Sequence, residues 1–306
     1  MTAHRTAEEV VAGLDLRGKT ILVTGVSSGL GAESARVLAK AGATVVGAAR
    51  DLEKARTALA SANVELGLLD LTSLESVRAS ATWFGARHAK LDVLLNNAGL
   101  MACPLGRTKD GFELQFGTNH LGHFLLAGLL VPKLVAGAPA RVVSLSSRGH
   151  LLAGVDLDDP SFERSAYDPW QAYGRSKSAN VLFAVELDRR LSGRGVRANA
   201  VHPGGILTEL GRHLTPEMRK AMTARFAARG PVQFKQVPHG AATQVWAAVS
   251  PELEGVGGRY LEDVRIANPS SGANDPFGYA AHAVDPEIAA SLWTLSEKLV
   301  GQSFAF

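Results

Sequence analysis

Residues 20–31 read TILVTGVSSGLG, and the reading of this stretch decides the fold. An apolar run from Thr20 to Thr24 leads straight into a turn spelled Thr24-Gly25-Val26-Ser27-Ser28-Gly29-Leu30-Gly31, followed by small and helix-forming residues as far as Ala41. A strand that ends on glycine and opens a helix aims the free amides of the helix N-terminus at a phosphate. Here Gly25 lets the chain turn, Gly29 lets backbone approach a pyrophosphate, and Gly31 lets the helix pack closely on the strand. Ser27, Ser28 and Leu30 fill the same turn and are expected beside the same group.

Two other glycine patterns overlap it. Gly13, Gly18, Lys19 and Thr20 satisfy G-x-x-x-x-G-K-T in form, but that loop must follow a strand and open a helix, whereas here it leads into one. Gly25 to Gly29 also fits the G-x-S-x-G elbow of serine hydrolases. An elbow needs an oxyanion amide from an earlier strand-helix loop, and Ser27 follows the first strand.

Outward from the turn, apolar runs at 20–25, 44–49, 64–70, 91–97, 141–147, 196–203 and 257–263 alternate with helix-length segments at 29–41, 73–88, 111–134 and 171–191. Apolar strands alternating with helices predict an α/β fold, a doubly wound parallel sheet of about seven strands with helices on both faces. No linker or repeat divides the chain, so residues 18–306 are expected to form a single Rossmann-type domain behind an N-terminal arm at 1–17. A loop at 148–169 and a C-terminal extension at 264–306, including a loop at 268–286, are expected near the substrate site.

Composition narrows the function classes. The 306 residues carry 32 basic against 29 acidic side chains, a net charge of +3 with no basic tract, so no nucleic-acid partner is expected. The single cysteine, Cys103, excludes an intramolecular disulfide framework and suits a reducing, cytoplasmic compartment. The longest apolar stretch, Phe124 to Val131, falls far short of the ~20 residues of a membrane span, and no targeting segment is expected. Glycine, at 32 residues, is in excess, which asks where the chain needs backbone freedom.

The chemistry-bearing residues fall at strand ends, the edge where open α/β sheets bind ligands. Asn96-Asn97-Ala98-Gly99 closes the fourth strand, Ser146-Ser147 the fifth, Tyr173-Gly-Arg-Ser-Lys177 opens a long helix, and Pro203-Gly204 with Thr208 follows the sixth strand. In this order and spacing, from about Lys19 to Tyr260, the sequence resembles the short-chain dehydrogenase/reductase family. Within it the chain looks similar to retinol-dehydrogenase-like and related bacterial reductases, through Ala49-Arg50-Asp51, Ser146 to His150 and Leu292 to Glu297.

The resemblance implies an oxidoreductase that moves hydride between a nicotinamide and an alcohol or carbonyl carbon. Tyr173 is then the general acid and base, Lys177 its neighbour, Ser147 (with Ser146 as alternative) the group steadying charge on the substrate oxygen, and Asn119 the holder of a water in the proton path. The residues agree with this: Tyr173 and Lys177, four apart, share a helix face. A cation ~4 Å from the phenol would supply the roughly 4 kcal/mol that brings its pKa from ~10 toward 7. His120 and His123, one turn apart, lack a completing ligand and read as core or solvated histidines, so no metal is expected.

For the cofactor, Arg50 at the end of the second strand suits a 2′-phosphate, favouring NADP(H) over NAD(H); Asp51 either touches the ribose or caps the next helix. By resemblance Asp70 and Leu71 meet the adenine. Asn97, Ala98 and Gly99 line the ribose side, and Pro203, Gly204, Ile206 and Thr208 the nicotinamide end. The stretch between Ser147 and Tyr173 is about twice the family's interval. Its Leu151, Leu152, Phe162, Tyr167 and Trp170, with Met101, Cys103 and the 268–286 loop, either cover a pocket for a hydrophobic secondary alcohol, ketone or aldehyde, or anchor a surface loop. A catalytically silent NADP(H)-binding regulatory or scaffold protein is the alternative, separated by following NADPH absorbance with carbonyl substrates. A homodimer or homotetramer is the family's usual assembly.

Overall fold

Strand β1 (Thr20–Thr24) occupies the middle of the sheet, and its side chains alternate between two cores: Leu22 joins one apolar cluster, Ile21 and Val23 the other. That period of two, with nearly every position buried, marks a strand covered on both faces. The computed structural model describes residues 5–220, 234–272, 275 and 277–306, so residues 273, 274 and 276 of the 268–286 loop lie outside the described residues.

The order along the chain is α1 (Ala7–Val11), β1, α2 (Gly29–Lys40), β2 (Thr44–Ala49), α3 (Leu52–Ala58), β3 (Val64–Leu68), α4 (Leu74–Arg87) and β4 (Val93–Asn96). A single turn, α5 (Leu114–Phe116), and a π turn (Gly117–Leu121) then lead into α6 (Gly122–Ala136), followed by β5 (Ala140–Leu145) and α7 (Pro169–Leu191). The chain finishes with β6 (Val196–His202), α8 (Val237–Val249), β7 (Tyr260–Glu262), β8 (Arg265–Ile266) and α9 (Pro286–Val300). Sheet order is β3-β2-β1-β4-β5-β6-β7-β8. All pairs are parallel except β7 with β8, a short antiparallel hairpin, which makes an eighth strand beyond the seven that apolar runs predict. Its two residues, Arg265 and Ile266, are exposed and carry no periodic signal.

Strand order reverses between β1 and β4, which opens a crevice at the carboxyl edge. Helix starts are set by side-chain caps: Asp51, Ser73, Asp168 and Asp285 accept backbone N–H groups at the heads of α3, α4, α7 and α9. The expected helix at 111–134 starts at Leu114, because Glu113 caps it by accepting the N–H groups of Gln115 and Phe116, and it stays in helical backbone through the π turn into α6. Residues before β1 are bound to the body: Thr6 and Glu9 form a reciprocal cap, and Ala7 and Val10 are buried against α8.

Helix α7 lies between sheet and α9. Trp293 of α9, 2% exposed, stacks with Phe183 and meets Phe124 edge-on, with the Arg190 guanidinium over its ring at 4.5 Å. Trp293→Ala is expected to cost about 3–5 kcal/mol in urea unfolding, as large truncations in packed cores do; a loss under about 1 kcal/mol would mean that α9 is not part of the cooperative core.

Candidate active site

The glycine turn needs its glycines for different physical reasons. Gly25 sits at φ +76°, and a Cβ there would come 2.9 Å from Ala98, while a Cβ on Gly31 would come 2.3 Å from the Gly25 carbonyl oxygen. The turn is tied to β4 from beneath: Thr24 Oγ1 accepts the N–H groups of Asn97 and Ala98, each at 3.0 Å, and Asn97 Nδ2 donates to the Thr24 carbonyl at 2.8 Å. His123 Nδ1 lies 3.0 Å from the Asn119 carbonyl, an acceptor only, so its proton is there and Nε2 accepts from the Thr24 hydroxyl at 2.9 Å. Burial holds His123 down to about 4, hence neutral. His120 is likewise buried, pushed down to about 3, and bonded to Ser296 Oγ at 2.7 Å. Both histidines are used up in packing, and among the described residues no cluster of ligating side chains could hold a metal.

A cavity of about 1240 Å³ runs along the carboxyl edge. One end is lined by Gly25, Ser27, Ser28, Gly29, Leu30 and Gly31, with Arg50, Asp70 and Leu71 beside them. Arg50 has no hydrogen-bond or ion-pair partner among the described residues, whereas Asp51 is occupied capping α3 through the Lys54 N–H at 3.0 Å. Asp70 lines the wall, but its carboxylate is turned to Thr72 and to Lys109 Nζ at 3.1 Å. Asn97, Ala98 and Gly99 form the middle of the wall, and Pro203, Gly204, Ile206 and Thr208 the facing side, where Thr208 reaches Gly29.

At the other end Ser147, Tyr173 and Lys177 meet. Tyr173 and Lys177, 4% and 3% exposed, lie one turn apart on α7, with Lys177 Nζ 5.8 Å from the phenol ring centre and donating to the Leu145 carbonyl at 2.9 Å. Tyr173 and Ser147 share a hydrogen bond, and Ser147 Oγ accepts the Gly149 N–H at 3.0 Å. Ser146 Oγ instead donates to the Lys177 carbonyl at 2.8 Å, away from this contact. The expectation that Lys177 draws the phenol toward neutrality is reversed: burial pushes Tyr173 up to about 12 and Lys177 down to about 7. Desolvation of a phenolate in this packed setting outweighs both the Ser147 hydrogen bond and a neighbouring amine that is itself costly to charge.

Asn119, in the π turn, is fully buried beside Gly99. Both its amide hydrogens are taken, one by the Leu100 carbonyl at 3.0 Å and one by Ser176 Oγ at 2.9 Å, and its Oδ1 accepts the Leu100 N–H at 2.8 Å. Ser176 Oγ in turn donates to the Tyr173 carbonyl at 2.8 Å, so Asn119 links the β4 edge to α7. The remaining lone pairs of Oδ1 and of its backbone carbonyl, which takes the His123 Nδ1 proton, are what it has for a water.

The long loop splits into two roles. Leu151, Leu152 and Trp170 line the cavity with Met101, and Ser270, Gly272 and Ala280 reach it from the C-terminal segment. Phe162 and Tyr167 are anchors: Arg175 of α7 lies 4.2 Å over the Phe162 ring and donates to the Asp159 carbonyl, while the Tyr167 hydroxyl donates to the Cys103 carbonyl at 2.9 Å. Cys103 is buried behind the wall and is not among the lining residues. Sequence reasoning missed Leu207, Leu210, Leu214 and Phe234, which add apolar lining; a run of leucines after Pro203-Gly204 was the available signal.

Residues 19–219 match the family described as short chain dehydrogenase. The chain is 42% identical to retinol dehydrogenase 13 of Mus musculus over 94% of this chain and 85% of that one. Among solved structures it resembles an uncharacterised protein of Mycobacterium paratuberculosis (TM-score 0.75, 37% identity, 97% of this chain and 98% of that one). It also resembles the Pseudomonas aeruginosa RhlG/NADP active-site complex (TM-score 0.65, 25% identity, 81% and 95%). Among the described residues no helix is long and apolar enough to cross a membrane.

Proposed function

Since the chain belongs to the short-chain dehydrogenase family and is an NAD(P)-type oxidoreductase, we propose that it uses NADP(H) to interconvert a hydrophobic secondary alcohol with its ketone, or a retinal-like aldehyde with its alcohol. The observation that carries this reading is the contact of half-buried Ser147 with the buried Tyr173 and Lys177 at the apolar end of a cavity whose other end is the glycine turn. The residues present fit a dinucleotide: Gly25 and Gly31, where a Cβ would strike Ala98 and the Gly25 carbonyl, let the turn close on β4 with Ser27, Ser28 and Gly29 lining the cavity, and Arg50 lines it with no partner among the described residues, as a 2′-phosphate needs. When bound, the nicotinamide supplies or takes the hydride.

The chain's own residues do the rest. With its pKa pushed up to about 12, Tyr173 is a neutral phenol at working pH, hence a proton donor poised for carbonyl reduction. Ser147 steadies the oxygen as negative charge develops on it. Lys177, tethered at Leu145, offers a proton-bearing amine behind the phenol. Leu151, Leu152, Met101 and Trp170 exclude water and favour a bulky apolar substrate, in keeping with a relative named for retinol.

The test follows NADPH absorbance with acetone, acetophenone, 2-decanone and retinal. Turnover rising with apolar size supports the reading; NADPH binding without turnover on any carbonyl would sink it. Arg50→Ala is expected to weaken NADPH by about 10- to 100-fold and NADH by about threefold or less, the worth of a charge-assisted phosphate contact. Equal losses for both would remove Arg50 from cofactor selection.

A further inference from the structure

His150 lies three residues after Ser147, is fully buried, and is not needed by the reaction as described so far. Its Nε2 receives the backbone N–H of Ala280 at 3.1 Å. An amide nitrogen only donates, so Nε2 is the acceptor and the ring proton sits on Nδ1, which donates to the Ser147 carbonyl at 2.7 Å. The His150 backbone N–H reaches that same carbonyl at 3.1 Å, closing a tight turn (Arg148–Leu151) on which Ser147 is the cap. The ring is thus held at both nitrogens, one end on the backbone of Ser147 and the other on a segment that lines the cavity 130 residues later in the chain.

The surroundings leave it little freedom. Tyr260 packs on the ring at 4.9 Å between centres, and His282 Nε2 lies 3.1 Å from the His150 carbonyl and 3.3 Å from Ser178 Oγ, next to Lys177. Ser178 Oγ also lies 2.7 Å from the Ala153 carbonyl, to which it donates. The C-terminal segment is therefore joined to the turn bearing Ser147 and to the helix bearing Tyr173 at one point.

We infer that His150 is a positioning residue, a neutral imidazole strut that holds Ser147 in its contact with Tyr173 and fixes the wall at Ala280 against bound substrate. The inference rests on the reading of Ser147 and Tyr173 as the reacting centre. The Ala280 end can be cut alone, and both ends together. Ala280 has φ −78° and ψ 142°, values proline adopts, so Ala280→Pro keeps the chain path, deletes the one N–H that meets Nε2 and sets its Cδ against the ring in the hydrogen's place, pushing the two apart. His150→Phe keeps a ring and removes both bonds together with the longer contact of Nδ1 with the Tyr260 hydroxyl at 3.4 Å.

With the carbonyl of the panel that is turned over fastest, Ala280→Pro is expected to raise KM about fivefold or more with a smaller change in kcat, and His150→Phe to lower kcat about tenfold or more. Independently of activity, nitrogen NMR of the imidazole should report the Nδ1–H form in the wild type, with a changed Nε2 shift in Ala280→Pro. The Nε2–H form, or kcat and KM within about twofold of wild type in both variants at unchanged NADPH affinity, would overturn the strut. Ser147→Ala measured alongside separates the layers. If it retains turnover, the reacting centre is misassigned; if it stops turnover while the other two variants behave as wild type, only the role of His150 falls.

Discussion

Tyr173→Phe is expected to lower kcat by about 10²- to 10⁴-fold while NADPH binds as in the wild type, the range that removing a positioned proton donor spans. The substitution removes one hydroxyl and its hydrogen bond with Ser147. The ring keeps its packing, edge-on to Trp170 at 6.4 Å between centres and lying over Gly149, where even a Cβ would come 2.6 Å from it. The glycine turn and Arg50 form the other end of the cavity, so affinity for the dinucleotide should not follow the loss of rate. Fluorescence titration with NADPH and single-turnover hydride transfer separate the two quantities. A variant that retained kcat within about tenfold would show that the proton comes from elsewhere and would end the assignment of Tyr173.

The second large effect concerns Lys177 and reads in stability as well as rate. Its amine is buried and pushed down to about 7 from an ordinary 10.5. Below pH 7 folded and unfolded chains both carry the proton, and the native state bears the full cost of burying the charge. Between 7 and 10.5 the folded chain has released the proton and the unfolded chain still holds it. The unfolded state binds more protons there, so stability rises with pH across that window. A depression of this size corresponds to roughly 3–5 kcal/mol. Lys177→Met removes the charge and retains an apolar stem. It is expected to be more stable than the wild type in urea at pH 6.5, with the gap closing by several kcal/mol at pH 9.5, while turnover falls about 100-fold or more. A gap independent of pH would mean that Lys177 titrates normally in the folded chain.

Much of the fold was legible because its signals are local. The β1 turn, the seven apolar runs and the helix-length segments at 73–88 and 171–191 each depend on residues within a few positions of one another. The two-residue strand β8 was not, since an exposed pair has no pattern to read. The π turn within the helix expected at 111–134 was also missed: the backbone stays helical through it, and no local pattern marks the turn that seats Asn119. Of the candidate site, the positions at strand ends were legible and their partners were not. The choice of Asp51 as a cap over a ribose contact, Phe162 as a cushion for Arg175 and Asn119 as a tie to Leu100 and Ser176 all required coordinates.

What the amino-acid sequence determined by itself was the order of strands and helices, the place of the glycine turn, and which side chains stand at the carboxyl edge, because periodicity and turn chemistry are properties of neighbours along the chain. What only the tertiary structure decided was the state of those side chains. Tyr173 is pushed up rather than drawn down, His123 is locked as one tautomer under Thr24, and His150 spans from Ser147 to Ala280. Desolvation sums over every atom packed around a group, and a hydrogen bond made across more than a hundred residues of chain leaves no trace in local spacing.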